Sequence, residues 1–515
     1  MASTSTAPTQ PVRYRGIITT ATVLGAGLQG MDTLPASVAL PHIRGSLSLT
    51  HEEASWILTS YLIAVAIATP PVSWLGRRFG RKRLFLVVIA GFIVCSMLAG
   101  SANDIGEMVV YRFMQGTFGA ALVPLSMHIL LDVYPREEHG TAISWWSMGV
   151  MFSAIAGPTL GGFLTEFLSW RWNFYVNIPL AALAFLLIYF FVPESSDDKK
   201  RPFDWFGFVL LTLCLGSMQL MLDRGNKLDW FSSPEILIEL GLAVTAFYLF
   251  IVHIMTSDEP FIEPAIFKNR NLVVGMCLTT MHGVILVGLT GLLPSFLNRL
   301  MDVPVLTIGL IMAPRGIATA LASTTAGRIM LRFSPKYVLF TGMVLMAVSL
   351  WMMQSFTPDT ETYHFVLAII VQGFGFGLFF VSGNAMPTEH RAEATAFMSL
   401  MRKIGSSVGV SVLVGMLSRN AQRNHEILSQ NVSPMNEVFR HRQLPESWSL
   451  TDLRGMAAFN QEVTRQSEFI AYLFDFRVLC IVIVLMIPTI FLFRSVEPPK
   501  SRTANTKAPT KASKD

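Results

Sequence analysis

The sequence predicts an all-α polytopic membrane protein with fourteen transmembrane helices, and three observations predict it. Of 515 residues, 52% are apolar and only 14% charged, against about 25% charged in an ordinary soluble chain. Apolar runs of about 20 residues, the length that crosses a bilayer, recur between charged, Pro or Gly breaks. Lys and Arg crowd into alternate connections. Fourteen such spans would use about 280 positions, close to the apolar half of the chain. A soluble multidomain enzyme is therefore not expected. The net charge of +5 matters by its location and is no nucleic-acid footprint.

Taken in order, the polar stretch Met1–Tyr14 lacks the apolar core and small-residue cleavage site of a signal peptide, so the first run, 17–40, stays as a span. Span 55–75 ends at the basic turn Arg77–Arg83, and 84–101 ends before Asp104. Spans 107–131, 142–165 and 173–192 are closed by Pro135-Arg136, Arg171 and Pro193-Glu194. After the charged stretch holding Lys199, Lys200 and Arg201 come 205–222 and 235–255. Then follow 272–296, 305–327, 337–355, 364–386, 394–418 and 471–494, with a long polar segment at 419–470 and a basic tail at 495–515. Cys95, Cys214, Cys277 and Cys480 all fall inside apolar runs without metal-ligand spacing, so buried free thiols are expected.

An even count of spans puts both tails on one side. The tails and the connections on their side carry 23 of the 39 Lys and Arg residues, whereas the short opposite loops hold only Arg44, Arg171, Arg224, Lys227 and Arg299. The positive-inside rule then makes both tails cytoplasmic. The segment 419–470 carries six more outside, but long loops translocate largely regardless of charge.

The chain also repeats itself at an offset of about 254 residues. Gln115-Gly116-Thr-Phe-Gly119 resembles Gln372-Gly373-Phe-Gly375, Pro135-Arg-Glu-Glu-His139 resembles Pro387-Thr-Glu-His390, and the basic turn at 77–83 resembles the one at 328–336. Two six-helix bundles, 17–192 and 271–494, thus flank a 193–270 linker with two inserted helices. Parallel six-span repeats are the layout of a rocker-type secondary transporter. No Gly-x-x-x-x-Gly-Lys-Ser/Thr phosphate loop, no His-Glu-x-x-His and no Gly-x-Ser-x-Gly occurs. The expectation is a transporter, not an enzyme, with no cofactor and an ion gradient as its energy source.

Several motifs resemble the major facilitator superfamily. Trp74-Leu-Gly-Arg-Arg-Phe-Gly80-Arg-Lys-Arg-Leu is similar to its loop between helices 2 and 3, and Arg112-x-x-Gln115-Gly116 to its helix 4 signature. Ser153-x-x-x-Gly157-Pro158-x-x-Gly161-Gly162 resembles the antiporter signature of helix 5, with Ser153 in place of its first Gly. Met31-Asp32-Thr-Leu-Pro-Ala-Ser-Val-Ala-Leu-Pro41 resembles the helix 1 signature of 14-helix drug:proton antiporters, and Leu222-Asp-Arg-Gly-Asn-Lys-Leu-Asp-Trp-Phe-Ser-Ser233 resembles their EmrB-type branch. Arg77 stands where the family commonly has Asp, which puts the usual acid–base latch of that loop in question, though the EmrB-type branch often has a basic residue there. The resemblance implies proton-coupled multidrug efflux from the bacterial inner membrane, with a periplasmic adaptor (a membrane fusion protein) and an outer-membrane channel as partners and 419–470 as the docking candidate. The same segment would equally suit a cap over the pocket.

The residues themselves single out Asp32, since a carboxylate at mid-span costs about 2.5–3.5 kcal/mol on insertion scales. At about 1.5 Å per residue, Asp32 lies about 22 Å from the tail side and Arg112 about 7 Å from the other. In a core about 30 Å thick they can meet, and Gln115 can join them. Such a carboxylate, shared between an Arg and a proton, suits antiport; a static pair that fixes helix packing is the structural alternative. Gly157, Pro158, Gly161 and Gly162 are expected to bend helix 5 and give it a smooth face, which sealing antiporters use between bundles and which an ordinary packing seam would also show. Arg77, Arg78, Gly80 and Arg81 form a candidate cytoplasmic gate or a topology anchor. Arg315 is a candidate contact to substrate or a gate carboxylate, whereas Arg402, Lys403 and Arg477 are expected to snorkel. His128 and His282 read as packed, hydrogen-bonded histidines rather than titrating groups. The 27 methionines and 11% aromatics suit an adaptable pocket for a small amphipathic or cationic substrate, and equally a lipid-facing helix. An exporter of one endogenous molecule, such as a siderophore or fatty acid, and a non-transporting receptor or scaffold are the alternatives.

Overall fold

The computed structural model describes residues 14–135, 138–194, 202–257, 260, 264–330, 332–384, 391–430, 432 and 452–493. The tails, the basic stretch at 199–201, residues 385–390 and the middle of 419–470 lie outside these. The described residues form helices and no strand. The first half holds α1 (Arg15–Ser46), α2 (His51–Ala68), α3 (Val72–Phe79), α4 (Arg81–Ser101), α5 (Ile105–Val133), α6 (His139–Phe167), α7 (Trp172–Tyr175) and α8 (Asn177–Phe191). Next come α9 (Trp205–Arg224) and α10 (Pro234–Thr256). The second half holds α11 (Arg270–Arg299), α12 (Val305–Ile329), α13 (Pro335–Met353), α14 (Thr362–Asn384), α15 (Arg391–Gln430) and α16 (Leu453–Met486).

Ten helices are long and apolar enough to cross a membrane, and α2 with α3 makes an eleventh, bent by 58°. The bend falls at Thr69-Pro70-Pro71, where two prolines remove backbone donors. The long helices α1, α6 and α12 are richer in Gly, Pro, Ser and Thr, the composition that packs on other helices rather than on lipid.

Helices α1 to α8 pack on one another, with α1 against α6 and α2 against α5, and α11 to α16 do the same, with α11 against α15 and α12 against α14. One contact recurs in both halves. A Cβ on Gly116 would meet the Tyr61 carbonyl at 2.4 Å and Ala64 at 3.0 Å; one on Gly373 would meet the Arg315 carbonyl at 2.5 Å and Ala318 at 2.8 Å. Between the halves, an apolar cluster joins Ala142, Ile143, Trp146 and Val150 of α6 to Ala322 and Ala326 of α12 and Phe380 and Val381 of α14. These residues belong to the early turns of α6 and the late turns of α12 and α14, so the seam lies toward the side where the chain begins.

The inserted pair α9–α10 bridges the halves from the opposite side. Thr59 on α2 donates to Asp223 (2.6 Å), and Lys227 donates to Ser55 on α2 (2.8 Å). Asn226 donates to the Ser411 carbonyl on α15 (2.7 Å) and accepts from Trp230 (2.9 Å). Ser411 in turn donates to the Leu222 carbonyl.

Three expectations need correction. Segment 419–470 is not simply a loop: α15 runs on to Gln430 and α16 begins at Leu453, so both helices extend past the membrane. Polar helix formers continue each helix, and the two pair through His425–Asn460 (3.0 Å) and Asn424 to the Ser467 carbonyl (3.4 Å). Cys277 is exposed on α11, because its helix turns it away from the core that covers Cys95 and Cys214. Arg402 does not snorkel; it turns inward, with its guanidinium 5.2 Å from the Phe380 ring.

Asn226→Ala should lower stability by about 1–3 kcal/mol, because it strands the Trp230 donor and the bridge to α15. Lys227→Ala, losing one exposed contact, should stay within about 0.5 kcal/mol. Thermal unfolding of the detergent-purified variants checks this, and equal losses would mean that the bridge contributes nothing specific.

Candidate functional site

Asp32, Arg112 and Gln115 come together in the first half, all fully buried. Arg112 Nη1 donates to Asp32 Oδ2 (2.7 Å) and to Gln115 Oε1 (2.8 Å), and Gln115 Nε2 donates to Asp32 Oδ1 (2.8 Å). The spacing of three residues stacks Arg112 and Gln115 on one face of α5, and that face looks at α1. Four further residues complete the site without having been expected from sequence. Asn177 Nδ2 donates to Asp32 Oδ1 (3.1 Å), and Ser96 Oγ accepts from Gln115 Nε2 (2.8 Å). Tyr61 and Phe174 place ring faces 4.3 and 5.5 Å from the Arg112 guanidinium. Arg112 Nε also donates to the Ile57 carbonyl (3.2 Å). Of these, Asn177 was the most visible in sequence, as a polar residue opening an apolar run.

The carboxylate is thus held by one charged and two neutral donors, while the arginine keeps a carbonyl, an amide and two aromatic faces besides. Breaking a buried pair by removing one partner costs about 3–5 kcal/mol because a lone charge remains. Neutralising Asp32 with a proton likewise removes the counter-charge of Arg112, which then keeps only neutral partners, the Gln115 and Ile57 oxygens and two ring faces.

The antiporter-type motif lies directly behind this carboxylate. Pro35, three residues after Asp32, removes a backbone donor from α1. A Cβ on Gly161 would meet Pro35 Cβ at 2.6 Å and Cα at 2.7 Å, and one on Gly157 would meet Pro35 Cδ at 3.2 Å. Gly162 differs: a Cβ there would meet only Val38, at 3.9 Å. The expectation that this face seals the two bundles is therefore corrected. Gly157 and Gly161 seat α6 against α1 within the first half, because the proline of α1 needs the space that two missing side chains leave. The departure at Ser153 is matched on α1, where a Cβ on Gly27 would meet Ser153 Oγ at 2.4 Å. Pro158 lies in the continuous helical backbone of α6, and its side chain is outside the described residues.

The basic turn is built around Gly80, whose φ of 87° joins α3 to α4 in a conformation that favours glycine. Arg81 pairs with Asp132 at the end of α5, and Arg83 with Glu194 after α8. Arg77 and Arg78 occupy the last turn of α3. An acid–base latch therefore exists in this turn, with Arg81 as one of its cations. Arg315 is far from any such latch and is fully buried on α12, and no described residue accepts from its Nε, Nη1 or Nη2.

Two outcomes follow from this geometry. Arg112→Gln should destabilise the protein by about 3–5 kcal/mol, and adding Asp32→Asn should return part of that loss, a coupling that a double-mutant cycle of unfolding measures. Additive losses would mean the pair is not coupled. Gly161→Ala should cost about 1–3 kcal/mol by overpacking while Gly162→Ala is tolerated; the same unfolding assay would reveal the reverse order if the seam were elsewhere.

Comparison with known proteins agrees with this architecture. A family model described as Major Facilitator Superfamily matches residues 22–313 and 272–422. The multidrug export protein EmrB of Haemophilus influenzae is 31% identical over 465 residues, covering 88% of this chain and 91% of that protein. The fatty acid resistance protein FarB of Neisseria gonorrhoeae is 28% identical over 484 residues, covering 92% and 95%. Among solved structures, the proton:xylose symporter XylE, solved with 6-bromo-6-deoxy-D-glucose, superposes with a TM-score of 0.57 at 16% identity, over 91% of this chain and 97% of its own; that likeness concerns the fold alone. The chain belongs to the major facilitator superfamily, and it is a membrane-spanning transporter similar to the EmrB multidrug export proteins.

Proposed function

We propose that this chain is a proton-coupled multidrug efflux antiporter of the bacterial inner membrane, exporting amphipathic compounds by alternating access, with both termini cytoplasmic. One observation carries the reading: the fully buried Asp32 is bonded to Arg112, Gln115 and Asn177, a carboxylate whose protonation removes the counter-charge of Arg112 and so couples a proton to the helix packing. A proton arriving at Asp32 takes away the charge that holds Arg112 Nη1. Arg112 then rests on Gln115, the Ile57 carbonyl and the Tyr61 ring. The helix α1, loosened at Pro35 and seated on Gly157 and Gly161, is the element free to shift in response. The apolar seam between α6, α12 and α14 suits a conformation closed on the side of the tails. Rocking about that seam would open the opposite state, with the proton and the substrate moving in opposite directions.

An adaptor protein and an outer-membrane channel are the partners this reading carries with it, and the helical extensions of α15 and α16 are the docking surface it assigns to the adaptor. Similarity to the fatty acid resistance protein FarB along 92% of the chain favours a second reading, an exporter dedicated to one endogenous molecule such as a fatty acid.

The test is substrate-triggered proton release from reconstituted vesicles, with a panel of lipophilic cations and weak acids and with Asp32→Asn beside the wild type. Release with several unrelated compounds, abolished by the substitution, is expected. Release with one compound only would favour the dedicated exporter. Silence across compounds that demonstrably bind would overturn proton antiport and favour a receptor.

A further inference from the structure

The second half of the chain buries charge without neutralising it. Arg315 is 1% exposed, and none of its three guanidinium nitrogens has an acceptor among the described residues. Among the described residues the Phe376 ring lies 5.2 Å from its Cζ. His282, also 1% exposed, stacks on Phe379 at 4.7 Å with an interplanar angle of 4° and meets Phe376 edge-on at 5.3 Å. Neither of its ring nitrogens has a partner. Gln372, fully buried one turn before Phe376 on the same face of α14, has no partner for its oxygen or its nitrogen. On the other flank the Arg402 guanidinium lies 5.2 Å from Phe380, which stacks at 6.1 Å on Trp146 of the first half. No described acid pairs with Arg315 or Arg402, although ion pairs are formed elsewhere in the structure.

A cation–π contact is worth about 2 kcal/mol when desolvated, yet it satisfies none of the five N–H donors of a guanidinium. Each unsatisfied buried donor costs about 1–3 kcal/mol, and more when charged. Nothing in the packing repays that. The contrast with the first half sharpens the point. Gln115 precedes Gly116 as Gln372 precedes Gly373, and the two glycines make the same close approach. Gln115 is consumed by Asp32 and Arg112, whereas Gln372 has no partner among the described residues.

Depth indicates what would complete the group. Counting about 1.5 Å per residue from the helix starts puts Arg315 about 15 Å, Arg402 about 17 Å and His282 about 18 Å into their helices, near the middle of a core about 30 Å thick. A lipid headgroup resides at the surface and does not reach that depth. A carboxylate carried by an amphipathic molecule does: it accepts two parallel bonds from a guanidinium, while its apolar body lies on rings.

We propose that Arg315, Arg402, His282 and Gln372 form a binding site for the carboxylate of an amphipathic organic anion, whose apolar part rests on Phe376, Phe379, Phe380 and Trp146. This deepens the export reading by giving the headgroup of its substrate a negative charge, and it rests on that reading only for the direction of movement. Arg315 is the bidentate anchor, Arg402 the second cation, and His282 and Gln372 the neutral donors that orient the oxygens. The site lies against the seam between the halves, so a ligand there touches both.

The test is equilibrium binding to the full-length chain in phosphatidylcholine nanodiscs, with radiolabelled decanoate and decyltrimethylammonium as the probes. Saturable decanoate binding is expected, weakened at least tenfold by Arg315→Gln and by Arg402→Gln and less by Arg315→Lys. Decyltrimethylammonium binding should not be weakened. Removing a lone buried charge should also leave the unliganded Arg315→Gln protein at least as heat-stable as the wild type, and decanoate should raise the melting temperature of the wild type alone. Decanoate binding unchanged in both Gln variants would overturn the proposal, as would a fall in the stability of Arg315→Gln without a change in binding. Loss of decanoate binding in nanodiscs containing phosphatidylglycerol would identify a lipid phosphate as the occupant and would also overturn it. Because binding is read without a gradient, absence of proton release would sink proton coupling while leaving the Arg315 dependence of binding intact.

Discussion

The low dielectric of the bilayer interior is the constraint on which this structure depends, because each charge carried into it must be answered. The first half answers within the protein. Asp32 and Arg112 neutralise one another, Gln115 and Asn177 donate to the carboxylate, the Gln115 and Ile57 oxygens accept from the guanidinium, and ring faces lie against it. The second half answers only in part, with rings but no acid around Arg315 and Arg402. One fold built twice thus offers a carboxylate site and a cation site, both reached through a glycine pressed against a neighbouring carbonyl. On the proposed reading, duplicated architecture with unlike charge would let two different ligands, a proton and a solute, act on one rocking body.

Small residues provide the second principle. In lipid there is no hydrophobic drive between helices, so close approach has to come from missing side chains. Gly161 receives Pro35, Gly27 receives Ser153, and Gly283 and Gly405 bring α11 and α15 so near that an added Cβ would stand 2.0 and 1.9 Å from a carbonyl oxygen. Backbones in such contact slide and tilt as units. They also explain why α1 can carry two prolines and a carboxylate and remain one helix from Arg15 to Ser46.

Much of this was legible in the sequence because insertion into a bilayer leaves one-dimensional traces: run length, the side preferred by Lys and Arg, and the rarity of a mid-span acid. The approach of Asp32 to Arg112 needed only helical rise and bilayer thickness. What was not legible depends on rotation about helix axes. Arg402 lies two turns into the span 394–418 read from the sequence, within snorkelling reach, but α15 begins earlier, at Arg391, and its facing turns Arg402 toward Phe380. Gly161 and Gly162 are equivalent as letters, but one is pressed against Pro35 of α1 and the other leaves room for a side chain beside Val38. Asn177 and Ser96 are common polar residues whose importance comes from Asp32 lying opposite. The helical arms beyond the membrane were hidden by their polarity, since the apolar signal that marks a span falls silent where a helix leaves the lipid.

Helix α15 runs unbroken from the midplane, where Arg402 faces Phe380, to Gln430 well outside. From Arg402 to that tip is about 42 Å at the helical rise of about 1.5 Å per residue. A tilt of about 10° at the level of the cation site therefore carries the tip through about 7 Å. On the proposed reading the arm is a lever with its short end at the anion site, and a protein seated on its long end would sense, at a distance, whether that site is filled.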